Sequence, residues 1–514
     1  MSSRFAPLSY ERPKGLLVVK GEVLIERQIH QLQEAGIDDI TIVVGYMKEQ
    51  FFYLQDKFNV NIVVNEDYYR YNNTSSLIRV LDKIDETYIC SSDNYFSENV
   101  FMENIGEAYY ASLYVEGPTD EYCLTTDEED MIMNVTIGGY DAWYMIGHVY
   151  FDHAFSETFK QILLDEYENY STSREELWEN LYMRHLDVLK MKIKRYSADS
   201  IHEFDSLDDL RAFDTSYINN SDSLIMKNIC LYLQCAQKDI VHCFPLTSGM
   251  TNNSFGFLCK KDGRRYVYRK PGAGTETYIN RQSEWCSMQY ANQLGLDDSF
   301  VYMDEKEGWK LSYYIEDAQW MDYHKWDEVE RALSMMRKLH ESKITSKYNF
   351  GLWDKTFDYW SKLGNYGRNE YADMSQMHEN MSKLWEKVKQ EGVENVLCHC
   401  DGFDRNFLID KNDKMYLIDW EYSGNDDPAL DVTTFICCSD YTDEEADRAI
   451  RLYFGHEPTL NEWRHQYAYL AIGSWHWFLW SLFSKKNAID VGDYPSLYYS
   501  MAKNYYLKAK KLYD

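Results

Sequence analysis

Short apolar runs alternate with amphipathic stretches over the first third of the chain. Ile40 to Val44 (ITIVV), Asn61 to Val64 (NIVV) and Tyr88 to Ser91 (YICS) read as strands. Between them, Leu24 to Ala35 has the pattern of a helix and stops at Gly36, a residue that accepts the left-handed backbone of a helix end. A last strand-to-helix unit lies near residues 192–214, where Ser206 followed by Asp209 predicts a capping box. Strands alternating with helices predict an α/β domain with a parallel sheet. The pattern breaks at Thr215 to Ser223 (TSYINNSDS), which is polar and without period. That break predicts a domain over 1–215, a connecting segment with a helix over 216–239, and a second domain over 240–514. The second part opens with a hairpin-like region (244–270). A mostly helical remainder follows, interrupted by strand-like Asn395 to Cys398 and Met415 to Ile418. Its most apolar helical run, Ile472 to Phe483, is short and interrupted by Ser474 and His476, so it predicts a buried helix and no membrane insertion.

Composition narrows the functional classes. The 514 residues carry 53 Lys and Arg against 84 Asp and Glu, a formal charge of −31. So acidic a chain argues against a nucleic acid polymer as partner, because phosphate binding along a polymer needs a basic face. It argues equally against a polybasic membrane anchor. A hydrophobic share of 45% argues against disorder. The eleven cysteines are odd in number and form no C-x-x-C, which predicts reduced thiols in a cytoplasmic protein.

The strongest chemical motif is His399-Cys400-Asp401-Gly402-Phe403-Asp404-Arg405-Asn406, an H-x-D-x-x-x-x-N string after a short apolar strand. Leu417-Ile418-Asp419-Trp420-Glu421 closes the next strand with two carboxylates. Phosphoryl transfer needs one carboxylate to orient the acceptor hydroxyl and take its proton, which Asp401 can do. It also needs oxygen ligands that hold Mg²⁺ against the phosphates of ATP, which Asn406 and Asp419 can supply. Glu421 is a candidate for a second metal or for the substrate. Each motif alone could be a capped loop; their order argues for phosphotransfer.

On these motifs residues 240–514 resemble the choline kinase and aminoglycoside phosphotransferase superfamily, which implies an α+β, protein-kinase-like fold. Leu246-Thr247-Ser248-Gly249-Met250-Thr251-Asn252-Asn253-Ser254 is similar to that family's nucleotide-binding hairpin loop, where small and amide residues let backbone N–H groups approach phosphate. The resemblance makes Gly249, Thr251, Asn252 and Asn253 nucleotide-binding candidates. It makes Arg269 the cation that grips ATP, with Lys270 as the alternative, and Glu284 its helix partner. Trp477 and Trp480 stand three apart, on one helical face, and resemble the helix that lines the aromatic box for choline. Tyr499 is a further wall. Core packing is the competing reading of these aromatics, and an aminoglycoside or another amino alcohol such as ethanolamine the competing acceptor.

The chain opens MSSRFAPLSYERPKGLL, an R-x-x-P-L-x(4)-P-K string. It resembles the signature of sugar-nucleotide and phosphocholine nucleotidyltransferases, which implies a Rossmann-like, mostly parallel sheet and a cytidylyl transfer from CTP to phosphocholine. The resemblance makes Arg4 and Lys14 the phosphate cations, the usual electrostatic tool for such a transfer. Asn72 and Asn73, in NNTSSL, are similar to the nucleotide-contacting segment, with a helix cap as the alternative. Asp93, closing a strand, and Asp205, closing the later one, are implied Mg²⁺ ligands; ligands bind at such strand ends. Trp143, Tyr144, Trp178 and Glu179 are candidates for a choline head group or for core. The family's first strand and glycine loop precede the residue matching Ser3. The expectation is therefore that the native polypeptide carries about ten more residues, a short strand and its loop, and that this form of the cytidylyltransferase is impaired. Together the halves imply a bifunctional choline kinase and cytidylyltransferase. The alternative from another class is a phosphotransferase fused to a non-catalytic nucleotide-binding domain.

Overall fold

The computed structural model describes residues 5–103, 106–246, 252–277, 279–487, 489 and 491–514. The chain divides into two compact units, Met1–Leu246 with Phe255–Gly263, and Thr247–Ser254 with Arg264–Asp514.

In the first unit helix Leu24–Glu34 buries Leu24, Ile25, Ile29 and Leu32 as one stripe, and Gly36 at φ 80° follows its end. Strands Thr41–Val44 and Asn61–Val64 pair in parallel, with Ile42 opposite Ile62. The larger sheet is mixed, where strand–helix alternation predicts a mostly parallel one. Its order is Thr87–Cys90, Ile132–Phe151, Tyr109–Thr126, Lys192–Arg195, and only the last pairing is parallel. The centre is a ribbon of two long antiparallel strands that the sequence pattern misses. Gly117, Pro118, Gly138 and Gly139, residue types that strands disfavour, stand within it. The ribbon absorbs this stretch in register shifts between Val115 and Pro118 and between Thr119 and Tyr122. Successive residues face opposite ways. Tyr110 enters a core with Phe155, Phe159 and Trp178, while Ala111 enters another with Ile25, Ile29 and Ile146. The predicted capping box is present: Ser206 Oγ accepts from Asp209 N at 3.2 Å and Asp209 Oδ2 accepts from Ser206 N at 2.9 Å. Helix Leu224–Leu233 belongs to this unit as well. Glu11 accepts the N–H groups of Leu224 and Ile225 at its start, at 2.8 and 3.2 Å.

The second unit holds strands Arg264–Pro271, Lys310–Tyr313 and Phe300–Met303, antiparallel in that order. The remainder is helical except for short strand pairs. Val396–Cys398 pairs with Gly424–Asp426, and Phe407–Ile409 with Met415–Leu417, at the two strand-like runs the sequence marks. Met336, Leu397, Phe407, Trp420, Phe435 and Trp475 share one core. The run Ile472 to Phe483 lies within helix Leu460–Lys486 and buries Ile472, Trp475, His476, Phe478 and Leu479. Among the described residues no helix is long and apolar enough to cross a membrane.

Candidate active sites

The loop after Val396–Cys398 is fixed from beneath by Asp431, in helix Ala429–Cys437. Its carboxylate accepts the N–H of His399 at 2.9 Å and of Cys400 at 2.7 Å, and a third bond from His340 Nε2 at 2.9 Å. His340 Nδ1 lies 2.7 Å from the Tyr453 hydroxyl. The buried His399 ring donates from Nε2 to the Ile418 carbonyl at 2.9 Å, which ties this loop to the one carrying Asp419. Cys400 and Asp419 both have φ 65°, so each loop turns sharply at a residue in the left-handed region. Asn406 Nδ2 donates to the Asp401 carbonyl at 2.7 Å and to Asp401 Oδ2 at 3.3 Å. Burial, and then the charges of Asp419 and Glu421, push the Asp401 carboxyl well above the ordinary aspartate range. Three predicted carboxylates therefore converge on one space.

A buried charge cluster adjoins them. Glu284 is fully inaccessible and meets three cations: Arg269 at 2.5 Å, Arg281 at 2.9 Å and Lys310 at 3.7 Å. Of the two cations considered at 269–270, Arg269 is the one paired with Glu284. Arg269 Nη1 also lies 3.5 Å from Asp419 Oδ1 and 3.7 Å from Glu421 Oε2. Asp419 Oδ1 is buried and accepts no hydrogen bond among the described residues, which is the donor a divalent cation would use. Glu421 accepts from Asn252 Nδ2 at 2.8 Å and from Arg281 Nη1 at 3.2 Å. Asn253 follows Asn252 in strand Asn252–Cys259. Gly249 and Thr251 lie outside the described residues. Sequence reasoning missed Arg281, Lys310 and the Asp431 clamp. Arg281 had a signal, since it stands three residues before Glu284 on the same helix.

Trp477 and Trp480 meet edge to face at 5.8 Å, and the Trp477 indole N–H is buried without a hydrogen bond among the described residues. Tyr499 is elsewhere. Its ring packs 4.7 Å from both Tyr371 and Phe478, and its hydroxyl donates to Asp373. A helix turns about 100° per residue, so the Trp475 and Phe478 face that meets Tyr499 points away from the Trp477 and Trp480 face.

In the first unit Lys14 is buried and its Nζ lies 3.0 Å from Asp93 Oδ2. The backbone of Gly15 stands so close to the strand end that a Cβ there would lie 2.8 Å from Ser92 Oγ. Glu203, which sequence reasoning passed over for Asp205, belongs to the same cluster. Burial and then the charge of Asp93 push its carboxyl up to about 7, and Asp205 adds to the effect. Side chains two apart on extended backbone point the same way, which was the available signal. Arg4 lies outside the described residues.

Asn73 does not cap its helix through its side chain. Its Oδ1 accepts from Trp178 N at 2.7 Å and its Nδ2 donates to Glu179 Oε2 at 3.3 Å. Asn72 Oδ1 accepts from Asn73 N at 2.9 Å. Glu179 also accepts from the Tyr110 hydroxyl at 3.2 Å, and burial raises its carboxyl. Trp178 is core, stacked on Tyr110 at 5.9 Å. Trp143 packs against Tyr114 at 5.4 Å, with the Arg195 guanidinium 5.4 Å from its ring, so that face already holds a cation.

Comparison with known proteins divides the chain in the same order. Residues 1–117 match the MobA-like NTP transferase domain and residues 244–471 the choline/ethanolamine kinase family. Over 223 residues the chain is 32% identical to the 2-aminoethylphosphonate cytidylyltransferase of Lancefieldella rimae, covering 42% of this chain and 90% of that protein. Over 211 residues it is 31% identical to the choline-phosphate cytidylyltransferase of Streptococcus pneumoniae, covering 41% and 92%. Over 256 residues it is 28% identical to protein LicA of Haemophilus influenzae, covering 48% and 94%.

Proposed function

The chain belongs to the cytidylyltransferases among the MobA-like NTP transferases and joins to that domain a choline/ethanolamine kinase-like one, and from this premise we propose a bifunctional cytoplasmic enzyme that turns choline into CDP-choline. The observation that carries the kinase half is the convergence of Asp401, Asn406 and Asp419 beside Arg269, which Glu284 holds. Asp401 orients the choline hydroxyl and takes its proton as the oxygen attacks the γ-phosphorus of ATP and ADP leaves. Asn406 spends its amide N–H groups on Asp401, which leaves its carbonyl oxygen for a metal. Asn406 and Asp419 would hold Mg²⁺, with Glu421 beside them. Mg²⁺ supplies countercharge to the phosphates and relieves the repulsion among the carboxylates. Arg269 grips the phosphates, and Trp477 with Trp480 offers an aromatic face to the quaternary ammonium.

In the first unit the phosphocholine oxygen attacks the α-phosphorus of CTP and pyrophosphate leaves. Lys14, and Arg4 by the sequence signature, stabilise that charge. Asp93, Asp205 and Glu203 are the carboxylates that would hold the second Mg²⁺. Glu179 has bonds from Asn73 and Tyr110 and, among the described residues, no cationic partner, which suits it to the ammonium head group. A relative's name points to 2-aminoethylphosphonate instead. The fusion favours the phosphate ester, because a kinase acting on an alcohol makes an ester and a phosphonate needs no such step.

A coupled assay with choline, ATP, CTP and Mg²⁺, reading both products separately, tests the proposal. Asp401→Asn should cut phosphocholine formation alone by orders of magnitude, and Asp93→Asn should do the same to CDP-choline formation from supplied phosphocholine alone. Equal turnover of ethanolamine and choline, untouched by Trp477→Ala and Trp480→Ala, would reject the choline reading. Absence of pyrophosphate release from CTP and phosphocholine, with the expected upstream strand and glycine loop restored, would reject the first unit's activity.

A further inference from the structure

Helix Leu224–Leu233 ends on Gln234, which is left-handed at φ 51°. The next residue, Cys235, donates its N–H back to the carbonyl of Cys230 at 3.2 Å. A bond of this span across a left-handed residue is the Schellman closure, and it brings together the side chains at its two ends. In most helices that contact is between two apolar residues. Here both residues are cysteines, both partly exposed and both free thiols. The two thiols lie close enough to shift one another's titration, and Cys259 is a further neighbour of Cys235. Lys261 fastens the turn after Cys259 to this helix end by donating to the carbonyls of Leu233 and Gln234, at 3.3 and 2.6 Å. The pair is therefore held in place from both sides.

We propose that Cys230 and Cys235 form a dithiol site that closes to an intrachain disulfide by exchange with a low-molecular-weight disulfide of the glutathione type. The Cys235 thiol favours the thiolate at Cys230, which makes Cys230 the attacking sulfur. It attacks one sulfur of the oxidised tripeptide, whose S–S bond breaks and whose other half leaves as a thiol. The Cys235 sulfur, its proton lost to solvent, then attacks Cys230 and expels the second half as a thiol. Two protein thiols are oxidised by two electrons, and one small disulfide is reduced to two thiols. Cys259 is buried where Cys230 and Cys235 are partly exposed, so a small disulfide does not reach it and it stays reduced. Neither half of the catalytic machinery takes part.

The test uses the full chain incubated with oxidised glutathione under non-denaturing conditions. The expected result is loss of two of the eleven titratable thiols, a mass decrease of about 2 Da, and a mapped Cys230–Cys235 link. In Cys235→Ser the first step should proceed and the second should not, trapping an adduct of about 305 Da on Cys230. In Cys230→Ser neither the link nor an adduct on Cys235 should form at the parent's rate. No thiol loss in the parent, a persistent adduct on Cys230 in the parent, or a link that maps to Cys259 or to the adjacent Cys437 and Cys438 would each overturn the proposal.

Discussion

Glu284 carries an unusual share of the second unit at the level of one side chain. It is fully buried, and its charge answers Arg269, Arg281 and Lys310 together. Removing one partner of such a set leaves buried cations uncompensated, at a cost of about 3–5 kcal/mol. Glu284→Gln should therefore lower the thermal midpoint of this unit sharply, and calorimetry would read it. Burial alone would raise its carboxyl. The charges of Arg269 and Lys310 outweigh burial and hold it at about 2, below the usual 4.5. A depressed carboxyl stabilises fully above its unfolded value and loses that contribution as pH falls through its folded one. The parent should thus lose more stability than Glu284→Gln between pH 4.5 and 2. Asp401 is the opposite case. Burial and two neighbouring carboxylates disfavour its charge. Asp401→Asn should cut phosphoryl transfer by about 10²–10⁴-fold while melting at or above the parent, which separates a lost base from a lost fold.

Two glycines differ in what surrounds them, and that sets expectations for the elements that carry the catalytic loops. A Cβ on Gly402 would meet the Met336 Cε methyl at 2.3 Å, the free end of a side chain that can swing aside. A Cβ on Gly424 would meet backbone, Phe350 N at 2.7 Å and Asn349 C at 3.0 Å. Gly424→Ala should cost about 1–3 kcal/mol and exceed Gly402→Ala, as chemical denaturation of the two variants would show. Short contiguous motifs explain what could be read beforehand. His399 to Asn406 and Asp419 to Glu421 were legible because each sits on one loop, and the capping box because it spans four residues. Asp431 and Lys310 were not, because their partners are distant in sequence and nothing local marks them. Tyr499 was assigned to the wrong neighbours because spacing fixes a face only within a helix, never which face another helix meets. The ribbon was lost because glycine and proline within strands look like turns until the partner strand is seen.

Across the whole chain the formal charge of −31 opposes every nucleotide phosphate and favours a quaternary ammonium. Raising ionic strength from about 0.01 to 0.15 M shortens the screening length from about 30 to 8 Å. The kcat/KM for choline should then fall severalfold, that for ATP should rise or hold, and an uncharged isosteric alcohol should show neither trend. The ribbon bears on the order in which the first unit is built. Tyr109–Thr126 and Ile132–Phe151 are joined by a turn in which Asp127 Oδ1 accepts from Glu129 N at 3.0 Å and Met131 N at 2.9 Å. Partners so near in sequence meet at little cost in chain entropy, within about 1–10 μs for a hairpin. Pairing Tyr109 with Lys192 must wait for the intervening chain to come home. In pulsed hydrogen exchange during refolding, amides of the ribbon should gain protection before those of Lys192–Arg195. The same ribbon supplies Tyr110 to the bed of Glu179, so one wall of the proposed head-group site would stand before the rest of the sheet assembles around it.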